Sequence, residues 1–209
     1  MTFPSVVAAT GYVQSSDTTS WAVYTGVNVN HGSILIVSAA GLPTLSTASS
    51  GWSKLGQQNH DDLGIDDDIA SAVFYKTADT ASDSFTLDST IAKQFSAVLI
   101  RVSGGGTVSG SSSSTSNPPN HSIASTRDVL WVTAVSAGGT DIAAGAPSGY
   151  SGLTTAQGFS DGVSTSIGYK TATASSDNPG LFSGIIANGV ASWTIALYAS
   201  RNRRSSGFL

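Results

Sequence analysis

Apolar residues alternate with polar ones at Trp21, Val23, Thr25, Val27 and Val29, a period of two that predicts a strand with one buried face. An edge strand around residues 6–13 is expected before it. Residues 33–39 and 129–135 are continuous apolar stretches of strand length and read as central strands buried on both faces. Residues 69–76 and 163–170 alternate more cleanly, and 84–87 and 181–183 read as short strands. Residues 95–102 and 190–199 close the two sets, with Phe95, Trp193 and Tyr198 as core anchors. Each set amounts to about five strands, an ordinary size for one sheet.

The two sets are copies of one pattern. Ser33-Ile-Leu-Ile-Val-Ser-Ala39 returns as Asp128-Val-Leu-Trp-Val-Thr-Ala134, Gly51-Trp-Ser-Lys-Leu55 as Gly149-Tyr-Ser-Gly-Leu153, and Tyr75-Lys-Thr-Ala78 as Tyr169-Lys-Thr-Ala172. Asp83-Ser84 returns as Asp177-Asn178, and Ser96-Ala-Val-Leu-Ile100 as Ser192-Trp-Thr-Ile-Ala196. The order is kept, and the slippage falls in polar stretches. Two copies are too few for a solenoid or propeller, which stack three or more units. The repeats are placed at about 16–102 and 111–199, within a single domain spanning 1–209.

Composition narrows the class. Only 11% of residues are charged and 40% are hydrophobic, enough to bury one good core in 209 residues. All 13 acidic residues are Asp, so the strong helix former Glu is missing, while Gly, Ser, Thr and Val dominate. The fold class expected is therefore all-β. Between the copies, residues 103–119 are rich in Gly and Ser and read as a surface connection, because a half that swung free would expose its inner sheet face. A single jelly-roll-like β-sandwich built from two similar halves buries both inner faces at once.

Cysteine is absent, so neither disulfides nor thiolate metal sites are expected. The N-terminus lacks a basic region followed by an apolar stretch, and no apolar run is long enough for a helical span, so no signal peptide and no membrane partner are expected. A net charge of −4 argues against a nucleic-acid partner, which needs a basic face.

Three features are candidates for recognition. Gly51 and Gly149 allow a turn that a Cβ disfavours and place Trp52 and Tyr150 just beyond it. An aromatic there can stack on a sugar, but recurrence at equivalent positions assigns both rings to capping the core. The stretch His60-Asp-Asp-Leu-Gly-Ile-Asp-Asp-Asp68 is unmatched in the second copy, which is four residues shorter between Leu153 and Tyr169 than the first between Leu55 and Tyr75. Asp61, Asp62, Asp66, Asp67 and Asp68 are the weak candidates for a hard cation such as Ca²⁺. Their order is not that of an EF-hand, so the loop is read as solvated or as docking a basic neighbour, and no metal or cofactor is expected. The basic C-terminal arm, 200–209, carries Arg201, Arg203 and Arg204, which suit an acidic neighbouring subunit when the arm is not simply frayed.

Catalytic residues are not expected. The chain has no Gly-x-Ser-x-Gly elbow, no His-Glu-x-x-His and no phosphate-cradling loop. His31, His60 and His121 fall in or beside turns, and nothing selects one serine for a triad.

One set of blocks carries a resemblance: Gly51–Leu55, Tyr75–Ala78, Asn117-Pro-Pro119, Asp128-Val-Leu-Trp131, Pro147-Ser-Gly-Tyr150 and Asn178-Pro-Gly180. With these, the chain resembles a group of small β-rich proteins of tailed bacteriophages. The resemblance implies a virion structural protein, made in the host cytoplasm and placed on the particle surface, and it brings no catalytic residues. Within that class the expected role is a capsid decoration or cement protein, bound to the major capsid protein or other virion subunits as a homo-oligomer, most simply a trimer. The alternative is a tail-fibre or tail-tip receptor-binding protein, with Trp52 and Tyr150 on the glycan.

Overall fold

The computed structural model describes residues 3–26, 32–61, 68–77, 83–104, 106–138, 141–158, 162–186 and 189–199. Among these the chain forms β1 (Ser5–Gly26), β2 (Gly32–Ala40), β3 (Leu45–Ser46), β4 (Ser53–His60), β5 (Ile69–Lys76) and β6 (Asp83–Ser103). The second half supplies β7 (Thr107–Ser113), β8 (His121–Gly138), β9 (Ser151–Ala156), β10 (Val163–Asp177) and β11 (Val190–Tyr198). All pairings are antiparallel.

The sandwich of two similar halves takes a specific form, in which each repeat builds one whole sheet. The first sheet has the order β1-β6-β2-β5-β4, with β3 on β6, and the second has the order β7-β11-β8-β10-β9. Matching the orders makes β7 the counterpart of β1, β8 of β2, β9 of β4, β10 of β5 and β11 of β6. Both sheets wind outward from a hairpin, β4/β5 or β9/β10. They pack face to face with their orders reversed, β1 lying over β9 and β4 over β7. Such reciprocal packing is that of a twofold-related pair.

Between the sheets lie Ile34, Ile36, Val73, Val98, Ile100, Leu130, Val132, Ile167, Trp193, Ile195 and Leu197. These faces correct the alignment of the copies. Ser38 pairs with Ser71 across β2/β5, and Ser136 pairs with Thr165 across β8/β10. The counterpart of Val37-Ser38-Ala39 is therefore Val135-Ser136-Ala137, three residues along from the block matched by sequence. By the same logic Ser96 answers to Ala191, not Ser192, because Ser38 pairs with Ser96 and Ser136 with Ala191. Both slips are odd in number, and an odd slip turns every side chain to the opposite face. The burial pattern does not allow that.

Central strands need a cover on their outer faces too, and here the halves diverge. The edge strand expected at 6–13 and the strand beginning at Trp21 are one long strand, β1, with irregular register between Gln14 and Ser20; Val27 and Val29 lie outside the described residues. Beyond this bend, β1 and the first part of β6 place Trp21, Val23, Phe85 and Leu87 in one cluster with Leu35, Val37 and Phe74. In the second half β8 and β10 extend instead, pairing from His121↔Asp177 to Arg127↔Ala174, while Val129, Trp131 and Ala196 form a cluster with Ile123 and Tyr150. The short strand expected at 181–183 is only a bridge, Gly145↔Ser183.

The Gly/Ser-rich stretch 103–119 is not merely a surface connection. Residues 107–113 form β7, hydrogen-bonded along β11, and Val108 packs against the inter-sheet core. An edge strand needs partners on one side only, so small residues suffice. Gly110 allows a close approach there, since a Cβ would stand 3.0 Å from both the Leu55 Cδ2 and the Thr194 carbonyl oxygen and press on them. The sheets accordingly span 5–103 and 107–198, wider than the repeats read from the sequence.

Candidate functional site

The polar groups with the most chemistry are turned inward. Ser38 and Ser136, counterparts in the two copies, hydrogen-bond to each other between the sheets. Their neighbours Ser71 and Thr165, also counterparts, flank them: Ser71 Oγ lies 3.1 Å from Ser136 Oγ, and Thr165 Oγ1 donates to Ser38 Oγ at 3.0 Å. Ser38 Oγ reaches Ser71 Oγ at 3.3 Å. The chain of hydroxyls continues to Ser96 on one side, at 2.7 Å from Thr165, and on the other Trp193 Nε1 donates to Ser71 Oγ at 3.1 Å. Every member is buried. The hydroxyls cannot meet a substrate; what they do is match one sheet to the other, since a shift of either would orphan them.

The paired aromatics differ in setting. Trp52 is only 9% exposed, meets Phe85 edge-on with ring centroids 4.9 Å apart, and donates its indole N–H to the Ser84 carbonyl at 3.0 Å. It caps the core. Tyr150 is half-buried, donates to the Asp177 carboxylate, and lies under Lys170 Nζ, 4.5 Å from the ring centroid. Lys170 also pairs with Asp177 at 2.6 Å. Burial, and then the adjacent Asp177 carboxylate, push the Tyr150 phenol far above its ordinary range, so it stays protonated.

His121 sits edge-on to Trp131 and between two serines, Nε2 at 2.9 Å from Ser109 Oγ and Nδ1 at 2.8 Å from Ser111 Oγ. Burial lowers its pKa, which favours the neutral ring. A neutral imidazole donates from one nitrogen and accepts at the other, so one serine accepts while the other donates. His60 bonds through Nδ1 to the Ser114 carbonyl at 2.9 Å, and His31 lies outside the described residues.

Of the acidic stretch, Asp61 and Asp68 are described; Asp62, Asp66 and Asp67 lie outside the described residues, as do Arg201, Arg203 and Arg204. Among the described residues no group of three or more His or Asp side chains is placed to hold a metal ion. The Asp68 carbonyl accepts from the Gly41 N–H at 2.6 Å, which ties the end of the stretch to the end of β2.

Besides the exposed Phe3, Val7, Val13, Ile91 and Leu153, two apolar features at the surface went unnoticed in the sequence. Leu181 and Ile186 are 60% and 85% exposed. Their loop is nonetheless well tied: Ala144 N donates to the Ser183 carbonyl at 2.8 Å, Ser183 N to the Gly145 carbonyl at 3.1 Å, and Ile186 N to Asp141 Oδ2 at 3.1 Å. Phe182 and Ile185 pack inward against Val135 and Val190, which leaves Leu181 and Ile186 pointing out. The doublet Ile185-Ile186 carried the signal, because adjacent residues of an extended chain face opposite ways. The second feature is a shallow apolar depression lined by Gly32, Ile34, Lys76, Thr77, Val108 and Leu197, with a cavity volume of about 10 Å³. That is room for about one water molecule, far below the ~300 Å³ at which small-molecule sites begin.

Set beside known proteins, the chain matches no family model, no curated protein and no solved structure.

Proposed function

We propose that this protein is a non-enzymatic virion component of a tailed bacteriophage, a decoration protein that binds the outside of the assembled head and strengthens it. The observation that carries the reading is the division of labour between core and surface. The inter-sheet hydroxyls from Ser38 to Ser136, the Trp52 and Trp193 indoles and the His121 imidazole are engaged within the molecule, whereas bare aliphatic groups are held out on a tied loop. A surface of this kind works by contact rather than by turnover. The phage-like blocks supply the biological setting, with the major capsid protein as partner. Trp52 in the core leaves the receptor-binding alternative to rest on Tyr150, whose ring is already covered by Lys170.

The test is immunogold electron microscopy on purified particles, with an antibody against the isolated protein. Label spread over heads, together with heads that rupture at lower temperature when the protein is missing, is the expected result. Label confined to tail ends would replace this reading with the receptor-binding one. Unlabelled intact particles would overturn both.

A further inference from the structure

The outermost strands of the two sheets lie over each other, β1 over β9 on one side of the sandwich and β4 over β7 on the other. Among the described residues, neither β1 nor β9 has a strand on its outer side. An open edge presents a row of backbone donors and acceptors to a further strand, and proteins ordinarily guard it with charge, proline or a bulge. The β4/β7 side has such guards. Lys54 and a bulge beside it stand on β4, and on β7 Ser109 and Ser111 are bonded to His121 and Ser112 to Gln58. The β1/β9 side is the reverse. No charged residue occurs from Phe3 to Ser16 or from Ser151 to Ala156. The bulge at Val7 lies near one end of β1 and leaves Ala8–Gln14 in unbroken register with Arg101–Phe95. Of the seven exposed large apolar side chains among the described residues, four are on this side: Phe3 leading into β1, Val7 and Val13 on β1, and Leu153 on β9.

We infer that two copies of this chain join through this side, β1 pairing antiparallel with β1 of the second copy while β9 packs beside β9, so that both sheets continue across a twofold axis. Charge, geometry and area all point to a second copy as the occupant. A net charge of −4 makes two copies repel over most approaches, but this side brings no charge of its edge strands against its own image. Two identical antiparallel strands are related by a twofold axis perpendicular to their sheet. Gly11, the middle of the unbroken run, lies over Thr155 of β9, so one such axis passes close to the middle of both edge strands and serves both layers. From Ser5 to Gln14 β1 is about 34 Å long, and two sheets about 10 Å apart make the side roughly 20 Å thick, a projected area of roughly 500–700 Å². A standard interface takes about 600–1,000 Å² of accessible surface from each partner, and accessible surface exceeds its projection. Such a contact is isologous and closes at two copies, in place of the trimer expected from the resemblance. The inference goes beyond the decoration reading and does not rest on it.

The test is sedimentation equilibrium of the full chain, as wild type and with Thr10→Lys or Thr10→Asp. Thr10 is exposed and adjoins the middle of the run, about 7 Å along the strand from its own image when Gly11 lies on the axis. Circular dichroism would verify that both variants fold. Wild-type protein is expected to be a dimer at micromolar concentration. Each variant alone should dimerise about tenfold more weakly, because like charges meet across the axis, and an equimolar mixture should recover the lost affinity, because opposite charges meet. Ser53→Lys, at an exposed position on the β4 edge, should dimerise as wild type does. A second measurement needs no substitution: amide exchange of residues 8–14 in wild type should slow as the protein concentration is raised through the dissociation constant, while that of residues 53–60 stays the same. A wild type that is monomeric at about 0.1 mM would overturn the inference. So would Thr10 variants that dimerise like wild type, a mixture no tighter than its components, or concentration-dependent protection of β4 instead of β1. All these outcomes are read on isolated protein, so they are separable from the location of the protein on a particle.

Discussion

Removing Ser71 should cost more than removing Ser38, although Ser38 has as many partners. When Ser38 becomes Ala, every partner keeps a bond: Thr165 keeps Ser96, Ser136 keeps Ser71, and Ser71 keeps Ser136 and Trp193. The expected loss is about 1 kcal/mol, the net worth of an ordinary hydrogen bond. When Ser71 becomes Ala, the Trp193 indole, 3% exposed, loses the acceptor that its N–H donates to. An orphaned buried donor adds about 1–3 kcal/mol, for a total of about 2–4 kcal/mol. At this chain length each kcal/mol corresponds to roughly 2–4 °C in Tm. Urea and thermal unfolding followed by tryptophan fluorescence would measure both. In a Trp193→Phe background no N–H remains to be orphaned, so the extra cost of Ser71→Ala should shrink to about 1 kcal/mol, a coupling that a double-mutant cycle isolates. Equal costs for the two serines, or an undiminished cost in the Phe background, would refute the network reasoning.

Three other outcomes are expected. Trp52→Ala should destabilise by about 3–5 kcal/mol, the range for emptying a large buried aromatic site, seen as a lower urea midpoint. Gly11→Ala should cost about 1–3 kcal/mol by overpacking, because its Cβ would fall 2.4 Å from the Thr155 carbonyl oxygen and press β1 away from β9; unchanged stability would show that the sheets give way freely. His121, with a folded pKa below the unfolded value of 6.5, binds its proton more readily in the unfolded chain. Its contribution is therefore full above pH 6.5 and declines as pH falls through and below that value. Comparing the pH dependence of unfolding in wild type and His121→Gln would check this, since the substitution should flatten the slope in that window.

Legibility differed from residue to residue for physical reasons. The bounds of the strand at 69–76 were readable to the residue from its alternation, although the structure buries it on both faces, because both the inter-sheet core and the outer cluster cover it. The strand at 107–113 was not, because Ser and Gly have no strand signal of their own and β7 exists only by virtue of the free edge of β11. Leu181 falls in the short strand expected at 181–183 and Ile186 in no expected element, since apolar character alone does not say which side of a loop faces water. The recurrence of Trp52 as Tyr150 places Trp52 correctly in the core, but the Asp177 and Lys170 partners of Tyr150 come from β10, across the hairpin, and no spacing in the sequence announces them.

The sequence by itself determined that this protein is all-β, that its halves are copies, and that they must close on each other to hide their inner faces. Those conclusions follow from period, composition and repetition, which are local or additive properties. Only the tertiary structure decided that each copy makes a whole sheet, that Ser38 answers to Ser136, and that different ribbons cover the two outer faces. These are matters of register and pairing across long separations. A shift of one residue is nearly silent in composition, yet it turns a buried side chain to the opposite face of the sheet.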